Sequence, residues 1–468
     1  MRCLAVFCCV LAVGCGERQA IDKQEKSSKT KKTPALSQKG KGHARAGMPG
    51  SDWPKFLGPL GTSVSTEKSI VTTWSNDGLR VAWIKALAVG HGAPAISNGR
   101  VFVFDRHDDK ARLRCLQSET GEDIWKLEYP TDFRDDFGYN NGPRCGPIVD
   151  GDRVYIYGAE GMLHCLAARD GKKIWEVNVL KTFHVIPNFF GVGSAPVVEG
   201  DLLIVQVGGS PKGTEIAGYG DFPDLKGDKS GVVAFDKLTG KVKYRITDEL
   251  ASYASPVLAT IAGRRWCFVL ARGGLIGFEP GTGKVDFHFP WRAEDLASVN
   301  AANPIVVGDR VLISETYGPG SALLKVKPGG YDVLWTDKKK KPRDKSLQCH
   351  WSTPIYHDGY VYGCSGRHDY NAELRCIELA TGKVMWRKPG LTRTSLLMVD
   401  GHFVCLGEEG QLLLLKVNPR KYEEVSRANT ESLLQYPCWA APVLAHGLLY
   451  VRGPDKLVCF ELIPGKRD

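Results

Sequence analysis

From residue 93 onward the chain returns to one pattern: a small residue, a proline, two apolar residues, a turn containing glycine, then an alternating apolar strand. It occurs eight times, as APAISNGRVFVF (93–104), GPIVDGDRVYIYG (146–158), APVVEGDLLIVQVG (195–208), SPVLATIAGRRWCFVL (255–270), NPIVVGDRVLIS (303–314), TPIYHDGYVYG (353–363), LLMVDGHFVCLG (396–407) and APVLAHGLLYVRG (441–453). Seven copies keep the proline, and the seventh puts Leu397 in its place. From Pro94 to Pro442 is 348 residues over seven intervals, a repeat of about 50. A second element follows at a steady offset: a short strand, a Thr-Gly type turn and a strand often ending in tryptophan. LRCLQSETGEDIW (113–125), LHCLAARDGKKIW (163–175), VVAFDKLTGKVKY (232–244), LIGFEPGTGKVDF (275–287) and LRCIELATGKVMW (374–386) show it, and copies five and seven carry degenerate forms.

Each unit therefore predicts four antiparallel strands, two tight hairpins enclosing one looser connection. One such sheet cannot bury both faces unless neighbours stack on it around an axis, so repetition at about 50 residues predicts an all-β, eight-bladed β-propeller. The ends agree. Copy eight stops at LVCFELIPGKRD without an outer tryptophan strand, while LRVAWIKAL (79–87) is such a strand with no unit of its own. Pairing the two closes the ring and leaves no free edge.

The TGxxxW turns, the xPxxxxG openings and the count of eight resemble the pyrroloquinoline quinone repeat superfamily. The opening WPKFLGP (53–59), the TTW at 72–74 and GPRCGPIVDGDRVYIYGAEGMLHCL (142–166) are similar to its bacterial PQQ-binding-like repeat proteins. The resemblance covers residues 51–463 and implies the fold, but it leaves function open. Members include quinoprotein dehydrogenases, the BamB lipoprotein of outer-membrane protein assembly, and other exported proteins. The reading it favours is a non-catalytic, BamB-like scaffold that binds a protein or cell-envelope ligand, with no cofactor expected. The alternative is a quinoprotein alcohol or sugar dehydrogenase that uses pyrroloquinoline quinone (PQQ) with calcium, and a sensor or carbohydrate-binding module shares the fold.

Before the repeat, Arg2 precedes an apolar run from Cys3 to Val13, too short to span a bilayer and suited to a signal peptide. LAVGC (11–15) resembles a lipobox, which would make Cys15 a lipidated first residue; the alternative is an ordinary signal peptide rich in cysteine. The resemblance then implies an exported bacterial lipoprotein of the outer membrane facing the periplasm, attached through its lipid. Residues 16–50 carry nine Lys/Arg and three acids with almost no apolar content, a basic disordered linker. Most of the chain's net charge of +10 sits there and at Arg2; residues 51–468 carry only +3, which argues against a nucleic-acid partner.

Trp83, Trp125, Trp175, Trp335 and Trp386 occupy one repeat position, shared with Tyr244 and Phe287, and read as wedges between blades that require a large ring rather than an indole. Cys115, Cys165, Cys376 and Cys459 likewise share a position, which Ala234 and Gly277 fill elsewhere, and read as buried small apolar groups. Cys364 and Cys376 flank one hairpin loop and are the candidate disulfide pair. No CxxC pair or compact Cys/His cluster suggests a metal site. A quinoprotein dehydrogenase, by the resemblance, requires calcium held by Glu, Asn and Asp, a catalytic Asp and commonly a vicinal disulfide. The only adjacent cysteines, Cys8 and Cys9, lie in the signal. The loop acids Asp132, Asp135, Asp136, Glu294 and Asp295 have no metal-site spacing and read as solvated charges.

In a propeller, connections between blades and those between second and third strands emerge on one face. There this sequence is elaborate, at 129–145, 181–193, 208–231 and 336–351. Asn141, Arg144, Asn188, Tyr253, Asn300, His350, Trp351, Arg393 and Trp439 precede inner strands and should ring the channel mouth. Two readings stand for this ring: a binding site, or a plug of side chains packed on one another.

Overall fold

The computed structural model describes residues 50–465 except 76–77, 294–299, 429 and 431. The signal, the lipobox cysteine Cys15, nearly all of the linker, and the acids Glu294 and Asp295 lie outside the described residues. Eight four-stranded antiparallel sheets follow one another as the blades of a propeller. Blade 1 comprises Ala95–Ser97, Arg100–His107, Lys110–Gln117 and Asp123–Pro130, from the axis outward, and the other blades repeat that order. Blade 8 draws three strands from the C-terminal end (Val443–Ala445, Leu448–Arg452, Lys456–Glu461). Its outer strand is Val81–Ala86, which pairs antiparallel with Lys456–Glu461. The closure anticipated from the two incomplete ends is thus present, and it spares the sheet an exposed edge.

Proline sets where the inner strands begin. Seven inner strands start directly after the repeat proline, as Ala95–Ser97 follows Pro94 and Ile355–His357 follows Pro354. Pro256 stands the same way before Val257–Ile261. In blade 7, where Leu397 takes the proline's place, the strand instead runs Thr394–Val399, because its backbone N–H groups are available upstream.

The core lies in the wedges between blades. One buried cluster joins blades 1 and 2 through Phe102, Leu113, Val154 and Leu166, another joins blades 2 and 3, and the largest spans blades 7, 8 and 1. The repeat rings act as expected, with one addition. Trp83, Trp125, Trp175, Trp335 and Trp386 each donate Nε1–H to a carbonyl of the following blade (Ser118, Ala168, Lys237, Leu379 and Asn418), at 2.9–3.1 Å. Tyr244 donates its hydroxyl to Pro280 in the same way. The position therefore favours a ring carrying a donor, and Phe287 alone fills it by bulk. Four of the five indoles also lie over the next blade's turn glycine, Trp386 facing the glycine-free turn of blade 7: at Gly171, with φ +73°, a Cβ would stand 2.5 Å from the Trp125 ring.

The shared cysteine position is buried for a geometric reason. Cys115 sits between Phe102 and Trp125 in the sheet register, Cys165 between Tyr155 and Trp175, and Cys376 between Tyr362 and Trp386. Two large neighbours on one face leave room for a small side chain. The candidate disulfide is not formed: Cys364 pairs with Leu374 and Cys376 with Tyr362, so the two cysteines are diagonal neighbours. Diagonal positions lie roughly 7–8 Å apart, beyond the usual Cα span of a disulfide. All ten cysteines among the described residues are buried thiols.

Residues ahead of the closing strand cross the face opposite the long loops. Trp53 exchanges two backbone hydrogen bonds with Ile96 at the end of the blade 1 inner strand, and Pro54 accepts from Val149 of blade 2. Ser63 and Ser65 pair with Met398 of blade 7. Both Glu67 carboxylate oxygens accept from the blade 8 hairpin, at His446 N and Gly447 N. Between these anchors Leu57 and Ser63 take positive φ (61° and 55°), and Gly58 (84°) folds under the Trp53 ring, where a Cβ would be 2.9 Å from its atoms. The WPKFLGP stretch thus forms a strap across the axis.

Candidate functional site

The ring of pre-strand residues and the strap enclose a cavity of about 350 Å³. Its wall is made where inner strands begin, and all eight blades contribute, from His91 and Ala93 in blade 1 to Trp439, Ala440 and Ala441 in blade 8. Small residues at these starts keep the axis open. Phe56, Leu57 and Ser63 of the strap also line the cavity and close its far end, so the channel is a blind cup.

Six of the nine sequence candidates line this cup: Arg144, Tyr253, His350, Trp351, Arg393 and Trp439. The three asparagines do not, and each braces a neighbour instead. Asn141 Oδ1 accepts from Asp135 N, Asn188 Oδ1 accepts from Phe189 N, and Asn300 donates to Ala271 O while its own carbonyl accepts from Tyr253 N and Ala254 N.

Two ion pairs stiffen the wall. Arg144 Nη2 lies 2.6 Å from Asp135 Oδ2, and the same guanidinium donates to Asn140 Oδ1 and the Asn140 and Phe190 carbonyls. Arg393 grips Glu408 through Nε and Nη2 at 2.5–2.9 Å, while the Arg393 backbone N–H and Trp439 Nε1–H donate to the same carboxylate. The Arg393 guanidinium lies 4.4 Å from the Trp351 ring centroid and 5.6 Å from that of Trp439. Neither carboxylate side chain is exposed. Asp135 is therefore not the solvated loop charge expected of it, because Arg144 compensates its burial; Asp132 and Asp136 are exposed.

Aromatic rings make the rest of the rim. Trp439 meets Trp351 (centroids 5.2 Å), His91 (4.8 Å) and Tyr139 (5.3 Å); His350 joins Trp351 to Tyr317, and Phe190 joins Tyr139 to Tyr253. Tyr253 Oη accepts from Phe190 N at 2.6 Å. Burial, with Arg393 and Arg367 adding to it, pushes His350 down to a pKa of about 3, and burial likewise holds His91 well below its usual range. Both imidazoles are neutral at physiological pH. Two polar atoms of the rim have no partner: Trp351 Nε1 and His350 Nδ1, His350 Nε2 being within 2.9 Å of Tyr317 Oη.

Sequence reasoning missed the strap floor, His91 and a ring of buried charge. The position just at or after the second strand carries Arg106, Glu160, Ser210, Arg272, Glu315, Arg367, Glu408 and Arg452 in successive blades. Most are deeply buried, and Arg272, stacked on Phe222 of the 208–231 insert at 5.0 Å, is brought down to a pKa of about 10 by burial. The signal was present as a polar residue closing each apolar second strand, in FDRH, LARG, LGEE and YVRG. Among the described residues no group of three or more His, Cys, Asp and Glu side chains is placed to hold a metal ion.

A family profile described as outer membrane protein assembly factor BamB matches residues 67–210 and 109–388. An outer membrane protein assembly factor BamB of Shewanella oneidensis is 28% identical over 106 residues, which is 21% of this chain and 26% of that protein. The match thus spans about a quarter of the curated relative's length. BamB from Moraxella catarrhalis superposes with a TM-score of 0.54 at 13% identity, covering 83% of this chain and all of that one. Quinohemoprotein alcohol dehydrogenase from Comamonas testosteroni superposes with a TM-score of 0.61 at 14% identity, covering 89% of this chain and 81% of that one. At such identities the superpositions speak for the propeller alone.

Proposed function

We propose, from the premise that this chain belongs to the family described as outer membrane protein assembly factor BamB, that it is a non-catalytic scaffold of the bacterial cell envelope. It presents its loop-rich face to a protein or envelope ligand, and the cup at the centre of that face is the binding site. In the same reading Cys15 carries the lipid that holds the protein at the outer membrane, facing the periplasm.

One observation carries the choice of scaffold over dehydrogenase. Two buried carboxylates by the cup, Asp135 and Glu408, are each closed by an arginine, which leaves neither to coordinate a cation or to take a proton from a substrate. A calcium-held quinone needs converging oxygen donors, and Asp135 and Glu408, paired as they are, do not supply them. The exposed aromatic rings at the mouth, Phe137, Tyr139 and Tyr436, instead offer apolar area for a ligand to cover.

The test is incubation of the purified protein with PQQ and calcium, followed by a search for a bound quinone spectrum and for reduction of an artificial electron acceptor. The expected outcome is neither. Stoichiometric uptake with turnover of an alcohol or sugar would establish the dehydrogenase reading.

A further inference from the structure

The positive charge of the propeller is gathered in one place. Residues 51–468 carry +3 in all, while the ten residues 336–345 (TDKKKKPRDK), at the passage from blade 5 to blade 6, hold six basic and two acidic side chains, +4. That leaves the rest of the propeller close to neutral. The loop is pinned from within. The Asp337 side chain, with no exposure, accepts from Ser321 N, Ser346 N and Ser346 Oγ and pairs with Lys340 at 2.8 Å. Lys345 is buried and donates to the Gly318 carbonyl, and Arg375 donates to the Lys345 and Ser346 carbonyls at 2.7–3.0 Å. Arg387 Nη2 donates to Arg343 O at 3.0 Å.

Held this way, the loop leaves Lys338, Lys339, Lys341 and Arg343 exposed. No carboxylate among the described residues lies within ion-pair distance of the three lysines, and Arg343 meets only the exposed Asp344, at 3.7 Å. Three features select the partner. The charges are mostly ammonium groups, hydrated point charges without the planar fork that grips one carboxylate or phosphate. They stand on an open loop, and none of them lines the cup. Directly ahead of them the outer strand of blade 5, Gly330–Thr336, exposes Val333 and Leu334 in succession (47% and 44%), where every other outer strand exposes at most one large apolar residue among the described residues.

A diffuse layer of negative charge over an apolar interior answers all three. We propose that the 336–345 loop docks on the anionic headgroups of a lipid bilayer, with Val333 and Leu334 against the headgroup region. This surface is separate from the cup and does not need the lipid at Cys15. Cys15 and Gly50 are 35 residues apart, a contour of up to ~120 Å, so a lipid there would not by itself decide which rim of the propeller meets the membrane. The loop decides it. Blades 5 and 6 lie four blades from blades 1 and 2, so docking here turns the 129–145 loop, with Phe137 and Tyr139 exposed on it, away from the bilayer and leaves it open to a partner.

The experiment is co-sedimentation of the unlipidated chain from Gly16 onward with vesicles of phosphatidylcholine alone and of phosphatidylcholine mixed with phosphatidylglycerol. Binding to the anionic vesicles only is expected, and it should be lost at high salt. Because residues 16–50 are basic too, two variants of equal charge are compared: Lys338→Gln/Lys339→Gln/Lys341→Gln in the loop, and Lys29→Gln/Lys31→Gln/Lys32→Gln ahead of the propeller. At roughly fivefold for each lysine at the surface, the loop variant should bind about 100-fold more weakly. Its melting temperature should not change, since the three side chains are exposed. The second variant should lose far less, because six basic residues remain in its segment. Absence of binding, equal binding to both kinds of vesicle, a loop variant that binds like the parent, or a second variant weakened as much as the first would overturn the inference. Loop-dependent binding of poly-glutamate without vesicle binding would assign the lysines to an acidic polypeptide and overturn it as well.

Discussion

Arg393→Ala is expected to lower the unfolding free energy by about 3–5 kcal/mol, because it strips the partner from a carboxylate that has no exposure. Glu408 would keep Trp439 Nε1–H and the residue 393 backbone N–H as donors, and these do not offset a buried negative charge. A double replacement, Arg393→Met with Glu408→Leu, removes both charges and should recover most of the loss, since a buried pair contributes little beyond an apolar pair of similar volume. Chemical denaturation of the three proteins reads both effects. If Arg393→Ala melts like the parent, Glu408 is hydrated and the wall of the cup is not dry.

The second large effect concerns closure. Deleting residues 51–88 removes the outer strand of blade 8 together with the strap. It also removes Trp53, Ile70, Trp74, Leu79 and Trp83, all at most 9% exposed and all part of the cluster joining blades 7, 8 and 1. At roughly 1.5–3 kcal/mol for each buried side chain, the loss is about 10 kcal/mol, the size of a domain's entire stability. The strand Lys456–Glu461 would also present an unpaired edge. The truncated chain should be recovered as aggregate, by size-exclusion chromatography and light scattering. A monomer with a cooperative melt would mean that the ring holds without its closing strand.

The propeller was legible because its determinants are local and repeated. A proline starts a strand, a Thr-Gly turn reverses it, and a tryptophan ends it, so eight noisy copies reinforce one another. The closing strand was legible by subtraction, from one unit lacking a strand and one strand lacking a unit. The site was legible only in part. Position ahead of an inner strand singled out Arg144, Trp351, Arg393 and Trp439, which line the cup, yet it could not tell which side chains face the cavity and which brace the wall. Asn300 stands at the same kind of position, and its amide is spent on Ala271. Nor does one-dimensional order reveal that Asp135 lies beneath Arg144 rather than in solvent, since that pairing depends on how the 129–145 loop folds back. The strap was hidden for a related reason. WPKFLGP carries no periodic pattern, and its course is fixed by backbone pairing with Ile96, Val149 and Met398, tens to hundreds of residues away.

The account's central claim is that function resides on the loop-rich face, around the cup. A photo-crosslinking residue placed at Tyr139 or Tyr436, half exposed at the mouth, can be compared in living cells with one at Thr381 or Lys383 in an exposed turn of the opposite face. The account predicts discrete crosslinked products from the mouth positions and none from the turns. Discrete products from Thr381 or Lys383, with the mouth positions silent, would contradict it.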